Sequence, residues 1–537
     1  MQTQVPAAES TGCTSAGSAL IGSSDSSPSA NDSLEYCNSD TRVASNAPSS
    51  NGPNSKHQPV APAPRQLTIA NVREQIIGID TRVPLLDGSE RQYVNFDNAA
   101  STPALRPVYE KTNEFLHWYS SVHRGSGFKS QVATHAYEEA HRIACEFVGA
   151  DPTEHVAIFG KNSTEALNKL ARRIQFRPGD VVLTTLMEHH SNDLPWRKVA
   201  LVEHVEVDSA GALNEAHLDS LLRQHASRVR LVAVTGASNV TGYVNAIHRI
   251  ARQAHAAGAE ILVDVAQLAP HRRVDMRPLA DPEHLDYVAL SAHKMYAPYG
   301  TGALIGRRET FLKGDPDVVG GGTVDIVTVD SVQWAGLPDR EEAGSPNVIG
   351  AVAMAQAMLC LGKIGLEAIA EHEARLTAYL LKRLVGVPRI RVLGIADPAR
   401  VSEKVGVVPF IVAPAADGCE LSHYEVAAIL SVEGGIGVRN GCFCAHPYML
   451  HLLGVPREAA RTHQQAVRSG TRARLPGLVR VSFGCYNDEA EIDWLIEVLQ
   501  RVVRGEYRGH YVQDEASGEF RAAGFAPELE CYFSLAD

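Results

Sequence analysis

Lys294 closes the run Leu285-Asp286-Tyr287-Val288-Ala289-Leu290-Ser291-Ala292-His293-Lys294, and Tyr299-Gly300-Thr301-Gly302 follows it. Lysine seldom ends a buried apolar strand unless its amine is used. A lysine in a partly desolvated pocket has a lowered pKa, and its free amine forms Schiff bases with carbonyls. Asp264 ends another apolar run, Ile261-Leu262-Val263-Asp264, and Gln267 stands three residues on. A carboxylate there is costly unless it meets a cation or hydrogen-bond donors. Either it caps a loop, or it meets the pyridinium of a Schiff-base cofactor.

The cofactor with both features is pyridoxal phosphate (PLP), whose ring nitrogen recurrently pairs with an Asp. Its phosphate has a candidate seat in Gly160-Lys161-Asn162-Ser163-Thr164-Glu165. Asn162 and Glu165 form a capping-box pattern, so a helix starts here. Its free N–H groups, with the Ser163 and Thr164 hydroxyls, suit a phosphate, although an ordinary capped helix reads the same way. Glu188-His189-His190-Ser191-Asn192 follows an apolar run at 181–185. Adjacent histidines point apart and no third ligand sits at helix spacing, so no metal site is expected. An imidazole stacked on a cofactor ring and a satisfied loop histidine are the two readings. Arg439-Asn440-Gly441-Cys442-Phe443-Cys444-Ala445-His446-Pro447 supplies two thiols beside an arginine and a histidine, surroundings that favour thiolate. The ligands are too few and too close together for closed zinc coordination.

These residues need a scaffold. Apolar runs at 156–159, 181–184, 231–234, 261–264 and 287–290 alternate with helical stretches such as 246–257. That alternation predicts an α/β domain with a mostly parallel sheet, whose ligands lie at the carboxyl ends of the strands. A smaller C-terminal α+β domain is expected after Pro346, with a helix over 348–363, strands near 407–412 and 479–483, and a last amphipathic helix over 489–503. The expected divisions are a disordered low-complexity tail at 1–66, a large domain at 67–345, a smaller domain at 346–510 carrying the cysteine loop, and a C-terminal tail at 511–537. The first is rich in Ser, Ala, Asn, Pro and Gly and cannot offset its chain entropy by burial. The 537 residues carry a net charge of -12, which argues against a nucleic-acid partner. No apolar run reaches the roughly 18–20 residues of a membrane span. Nine scattered cysteines suit free thiols in a reducing, cytoplasmic compartment better than a disulfide framework.

In this order the motifs resemble the class V aminotransferase family of fold-type I PLP-dependent transferases, and within it the SUF-type (group II) cysteine desulfurases and selenocysteine lyases. The resemblance runs from about Val94 to Leu499. It rests on Asn95-Phe96-Asp97-Asn98-Ala99-Ala100-Ser101, Ser121-Val122-His123-Arg124-Gly125, Asn162-Ser163-Thr164-Glu165-Ala166, Glu188-His189-His190-Ser191-Asn192, Ser238-Asn239-Val240-Thr241-Gly242, Asp264-Val265-Ala266-Gln267, Ser291-Ala292-His293-Lys294, Gly344-Ser345-Pro346-Asn347 and Arg439-Asn440-Gly441.

The resemblance implies a role for each residue. Lys294 anchors PLP and moves the Cα proton. His189 stacks on the ring, Asp264 pairs with its nitrogen and Gln267 contacts its oxygen. Thr164, Ser291 and His293 take the phosphate, beside the Ser163 hydroxyl of the helix start, with Ser345 reaching in from the partner of a homodimer. Asn239 and Arg480 hold the substrate carboxylate, Arg439 lines the loop, and Cys444 accepts sulfur from L-cysteine for delivery to an acceptor protein.

The sequence also departs from that pattern. Cys442 is a second thiol, and Gly-Cys-Phe-Cys is similar to the sulfurase domain of molybdenum cofactor sulfurases. Ala292 stands where the family often has Gly. The stretch 452–478 looks long and is expected to be a mobile basic loop over the site or at a partner surface. Another class V chemistry (aminotransferase, lyase or epimerase on an amino acid) or a molybdenum cofactor sulfurase-like protein stays open as the alternative.

Overall fold

The computed structural model describes residues 66–536, apart from 124 and 416–420. The expected tail at 1–66 lies outside the described residues except for Gln66.

Both faces of the main sheet are covered, which is why its strands read as unbroken apolar runs. The strands are β1 (His155–Gly160), β2 (Val181–Thr185), β3 (Leu201–Val205), β4 (Val229–Thr235), β5 (Glu260–Asp264), β6 (Tyr287–Ser291) and β7 (Gly302–Arg307). Their order is β1-β7-β6-β5-β4-β2-β3, with β7 antiparallel to both neighbours and the other pairs parallel. Alternate side chains go to opposite faces. Ala157, Phe159, Val263, Val288 and Leu290 join one core with helices α1 (Phe128–Phe147), α3 (Ile247–Ala256) and α4 (Val348–Ile364). Val156, Ile158, Leu262 and Ala289 join another with Leu167 and Leu170 of α2 (Ser163–Arg173).

All five expected runs lie within strands of this sheet. Two strands escaped sequence reading. β3 is a half-exposed edge strand of mixed polarity, and β7 carries Gly302 and Gly306, which weaken any strand pattern. Gly302 is required where it stands: a Cβ there would meet backbone atoms of Asn162 at 2.4 and 2.6 Å. This close approach sets the start of α2 against the end of β6, beside Lys294.

The second sheet is antiparallel and four-stranded. Its order is β8 (Ile390–Val392), β9 (Val407–Val412), β11 (Leu478–Ser482), β10 (Arg439–Gly441). Its core draws on Leu376 and Leu380 of α5 (Leu366–Leu384), and on Ile429 of α6 (His423–Gly434). Helix α7 (Arg457–Arg468) lies in the stretch expected to be a mobile loop, so that expectation is corrected; its Ala459, Ala460, His463, Ala466 and Val467 give it an amphipathic period. Ile492, Leu495 and Leu499 come from α8 (Glu489–Arg504), where the last helix was expected.

Three further details differ from expectation. Helix α4, expected to open the smaller domain, packs in the first core. Val94 and Phe96, far upstream, are buried in the second, where Val94 pairs with Ile436. Residues 511–513 and 520–522 form a hairpin, and Gln513 Nε2 donates to Ala473 O at 2.8 Å, so the end of the chain is not simply a loose tail.

Candidate active site

Strand register builds the site. Gly302 pairs with both Ser291 and Gly160, while Asp264 pairs with Ala289 and Thr235. The carboxyl ends of β1, β4, β5 and β6 therefore meet along one edge. There a cavity of about 270 Å³ is lined by Ser163, Thr164, His189, Asn239, Asp264, Gln267, Ser291, His293, Lys294, Arg439, Cys444 and Arg480. Ser345 does not line it; in its own chain Ser345 lines a cleft with His123 and Tyr137.

Lys294 ends the 3-10 turn that continues β6. Burial lowers its ammonium pKa, nearby Asp264 opposes that shift, and the Arg480 charge adds to it. Burial raises the Asp264 pKa, with Lys294 acting against it. One Asp264 oxygen accepts from Ala266 N at 3.0 Å. An amine and a carboxylate thus face each other across a desolvated space, where each sets the other's proton affinity.

The opposite wall is His189. Its Nδ1 accepts from Ser191 N at 3.1 Å. A backbone N–H can only donate, so the neutral ring carries its proton on Nε2. Burial and the charge of Lys294 depress His189 to about 3. Ser191 Oγ lies 3.0 Å from His189 Nδ1 and 2.7 Å from Thr164 Oγ1, tying this wall to the start of α2. Asn162 caps that helix by accepting from Glu165 N at 3.0 Å, whereas the Glu165 carboxylate turns to Lys161 N, so half the expected capping box forms. Glu188 accepts from Thr185 Oγ1, Asn192 Nδ2 and Thr235 N, which joins the ends of β2 and β4; burial pushes it up to about 8.

The mouth is formed by the loop after β10. Phe443 and Cys444 both have positive φ, +53° and +56°. Left-handed backbone at a non-glycine residue costs on the order of 1–2 kcal/mol each. Two contacts hold it: Asn239 Nδ2 donates to Phe443 O at 2.6 Å, and His190 N donates to Cys444 O at 2.7 Å. The result is an exposed Cys444 on the cavity, electrostatically coupled to Lys294 and Arg480. Cys442 is half-buried, does not line the cavity, and has its thiol pushed up by burial.

Arg480 is buried under this loop, donating to Asn239 O at 2.9 Å and to Asp97 Oδ1 at 2.8 Å. Ser191 and Asp97 stand within the family motifs, and the sequence alone assigns neither a role. Two buried side-chain oxygens in the cavity, Ser291 Oγ and Gln267 Oε1, have no partner. Buried polar groups are rarely left so, which fits residues arranged to hold a polar ligand.

The fold is the fold-type I arrangement: an apo cysteine desulfurase from Thermococcus onnurineus NA1 superposes with a TM-score of 0.68 at 31% identity, covering 81% of this chain and 98% of that one. The sequence model of "Aminotransferase class-V" matches residues 94–495. The cysteine desulfurase of Dickeya dadantii (strain 3937) is 34% identical over 419 residues, 76% of this chain and 91% of its own length. The probable cysteine desulfurase 1 of Mycobacterium leprae (strain TN) is also 34% identical, and the chain spans 62% of it. The chain belongs to the class-V aminotransferase family.

Proposed function

We propose that this protein is a PLP-dependent cysteine desulfurase, which takes sulfur from L-cysteine, leaves it on Cys444 as a persulfide and releases alanine. The observation that carries the reading is one cavity lined by both a desolvated lysine and an exposed cysteine. The named relatives support it.

The residues present fit PLP. Unpartnered Ser291 Oγ and Gln267 Oε1 await a polar ligand, the α2 N-terminus with Ser163 and Thr164 suits a phosphate, and buried Asp264 suits a pyridinium. His293 adds to the phosphate end, and the partner's Ser345 completes it in a homodimer. When bound, PLP supplies a carbonyl for amines and an electron sink for charge at the substrate Cα. Lys294, with its lowered pKa, holds and moves the Cα proton as general base. Neutral His189 presents a flat ring face fixed by Ser191. Asn239 and Arg480 orient the substrate carboxylate, with Arg439 at the rim. The Cys444 thiolate attacks the substrate sulfur: an S–S bond forms, the C–S bond breaks, and its electron pair passes to the carbon side, which ends as alanine after protonation. The reading includes a protein sulfur acceptor and a cytoplasmic setting, whose reducing conditions keep Cys444 a thiol.

The test is incubation of the PLP-loaded protein with L-cysteine while alanine, sulfide and protein persulfide are measured. Equal alanine and sulfur are expected. Lys294→Ala should lose the visible absorbance of lysine-bound cofactor and all alanine release. A loaded protein that yields neither alanine nor persulfide overturns the reading.

A further inference from the structure

At the end of the main sheet opposite the cavity, His255, His284 and Asp286 bring three metal-ligating atoms within 4.8 Å of one another. Asp286 immediately precedes β6, whose other end leads to Lys294. Five steps along the strand carry the chain about 16 Å from Asp286 to Ser291, so the cluster is no part of the site above.

The hydrogen bonds define the proton positions. His255 Nδ1 lies 2.8 Å from Pro282 O, and His284 Nδ1 lies 2.6 Å from Asp281 O. Carbonyls only accept, so both rings carry hydrogen on Nδ1. Both Nε2 atoms then converge on one carboxylate, His255 at 2.9 Å from Asp286 Oδ2 and His284 at 3.2 Å from Oδ1. With neutral rings, two lone pairs face a carboxylate. With charged rings, two imidazoliums stack at 4.0 Å beside Arg307, which already pairs with Asp286 Oδ1 at 3.1 Å. With one ring charged, its Nε2–H serves the carboxylate while the other nitrogen still turns a lone pair on it. A cation shared by the two nitrogens and the carboxylate satisfies all three donors.

We propose that His255, His284 and Asp286 hold a divalent transition-metal ion of the zinc class. Tetrahedral zinc with bonds of about 2.0–2.1 Å sets its ligand atoms about 3.3 Å apart. The two nitrogens stand 2.9 and 3.2 Å from different oxygens of Asp286, so a carboxylate that turns slightly, or uses both oxygens, brings all three residues to one ion. The supporting contacts are those a metal site needs: each imidazole donates its other N–H to a carbonyl, and Asp286 Oδ2 accepts from Ile261 N at 2.8 Å. The carboxylate is fully buried and His284 nearly so, while His255 keeps partial exposure, which leaves a way in for the ion and a position for water.

The test uses full-length protein with its accessible thiols alkylated, so that cysteines do not compete. It is stripped with a chelator and dialysed against Zn²⁺, and bound metal is measured by elemental analysis. One equivalent per chain is expected, bound more than about tenfold more weakly in His255→Gln or His284→Gln. His255→Gln, on the partly exposed face of α3, serves alone if His284→Gln fails to fold. Alkylated wild-type protein that retains no zinc overturns the proposal, as does undiminished zinc binding in His255→Gln.

Discussion

Arg480 donates to Asp97 Oδ1 at 2.8 Å while its guanidinium lies 4.7 Å from the centre of the Phe443 ring. Burial disfavours the Arg480 charge, and Asp97 is the first group to stabilise it. Asp97 therefore occupies the cation that a substrate carboxylate would use. Asp97→Asn keeps an acceptor for Arg480 but removes the competing charge. For a partly exposed ion pair worth about 1 kcal/mol, KM for L-cysteine should fall about fivefold. Steady-state kinetics of the loaded enzyme measure this; an unchanged or raised KM would show that the two carboxylates do not compete.

His189 and His293 give the fold an acid limit. Burial and Lys294 depress them to about 3 and about 4, against about 6.5 unfolded. Between those values the unfolded chain binds more protons than the folded one. Stability from these groups is thus complete above about pH 6.5 and is lost as pH falls towards about 4. Urea midpoints followed from about pH 7 to about pH 4 should decline, and the double variant His189→Asn with His293→Asn should decline less. A variant that loses stability with acid as steeply as wild type would contradict the depressed values.

Phe96 ties the upstream segment to the second core. It is fully buried, meets Phe483 edge-on at 5.6 Å, and its carbonyl accepts from Ser482 N at 2.7 Å. Phe96→Ala leaves a cavity where two distant parts of the chain join, so unfolding free energy should drop by about 3–5 kcal/mol. Denaturant unfolding checks this, and a loss below about 1 kcal/mol would mean the segment is not integral to that core.

Phe96 also shows a kind of contact that no local sequence pattern displays. The long apolar runs of β1, β4, β5 and β6 declare themselves because burial on both faces demands it, and the chemistry of Lys294 and Asp264 follows from standing at their ends. Strand β7 did not, because the glycine that lets Asn162 approach also erases the strand pattern. Pairings across the chain, Val94 with Ile436 and Arg480 with Asp97, have no local signature at all. Ser191 stood in view within its motif, yet its role depends on the turn that aims its backbone N–H at His189.

The two thiols of the loop separate by position. The left-handed backbone at Phe443 and Cys444, pinned by Asn239 and His190, turns Cys444 to the cavity and leaves Cys442 outside its lining. Burial also pushes the Cys442 thiol up, so less of it is thiolate at neutral pH. Cys444→Ser should therefore abolish persulfide formation while leaving the absorbance of the bound cofactor intact. Cys442→Ser should keep persulfide formation within about twofold of wild type, the scale of a substitution that touches no reacting group. Intact-protein mass spectrometry after a single turnover with L-cysteine reads both, as the mass of one added sulfur. If Cys442→Ser lost the adduct and Cys444→Ser kept it, sulfur would be received by the thiol outside the cavity, and the attack geometry assigned to Cys444 would be wrong.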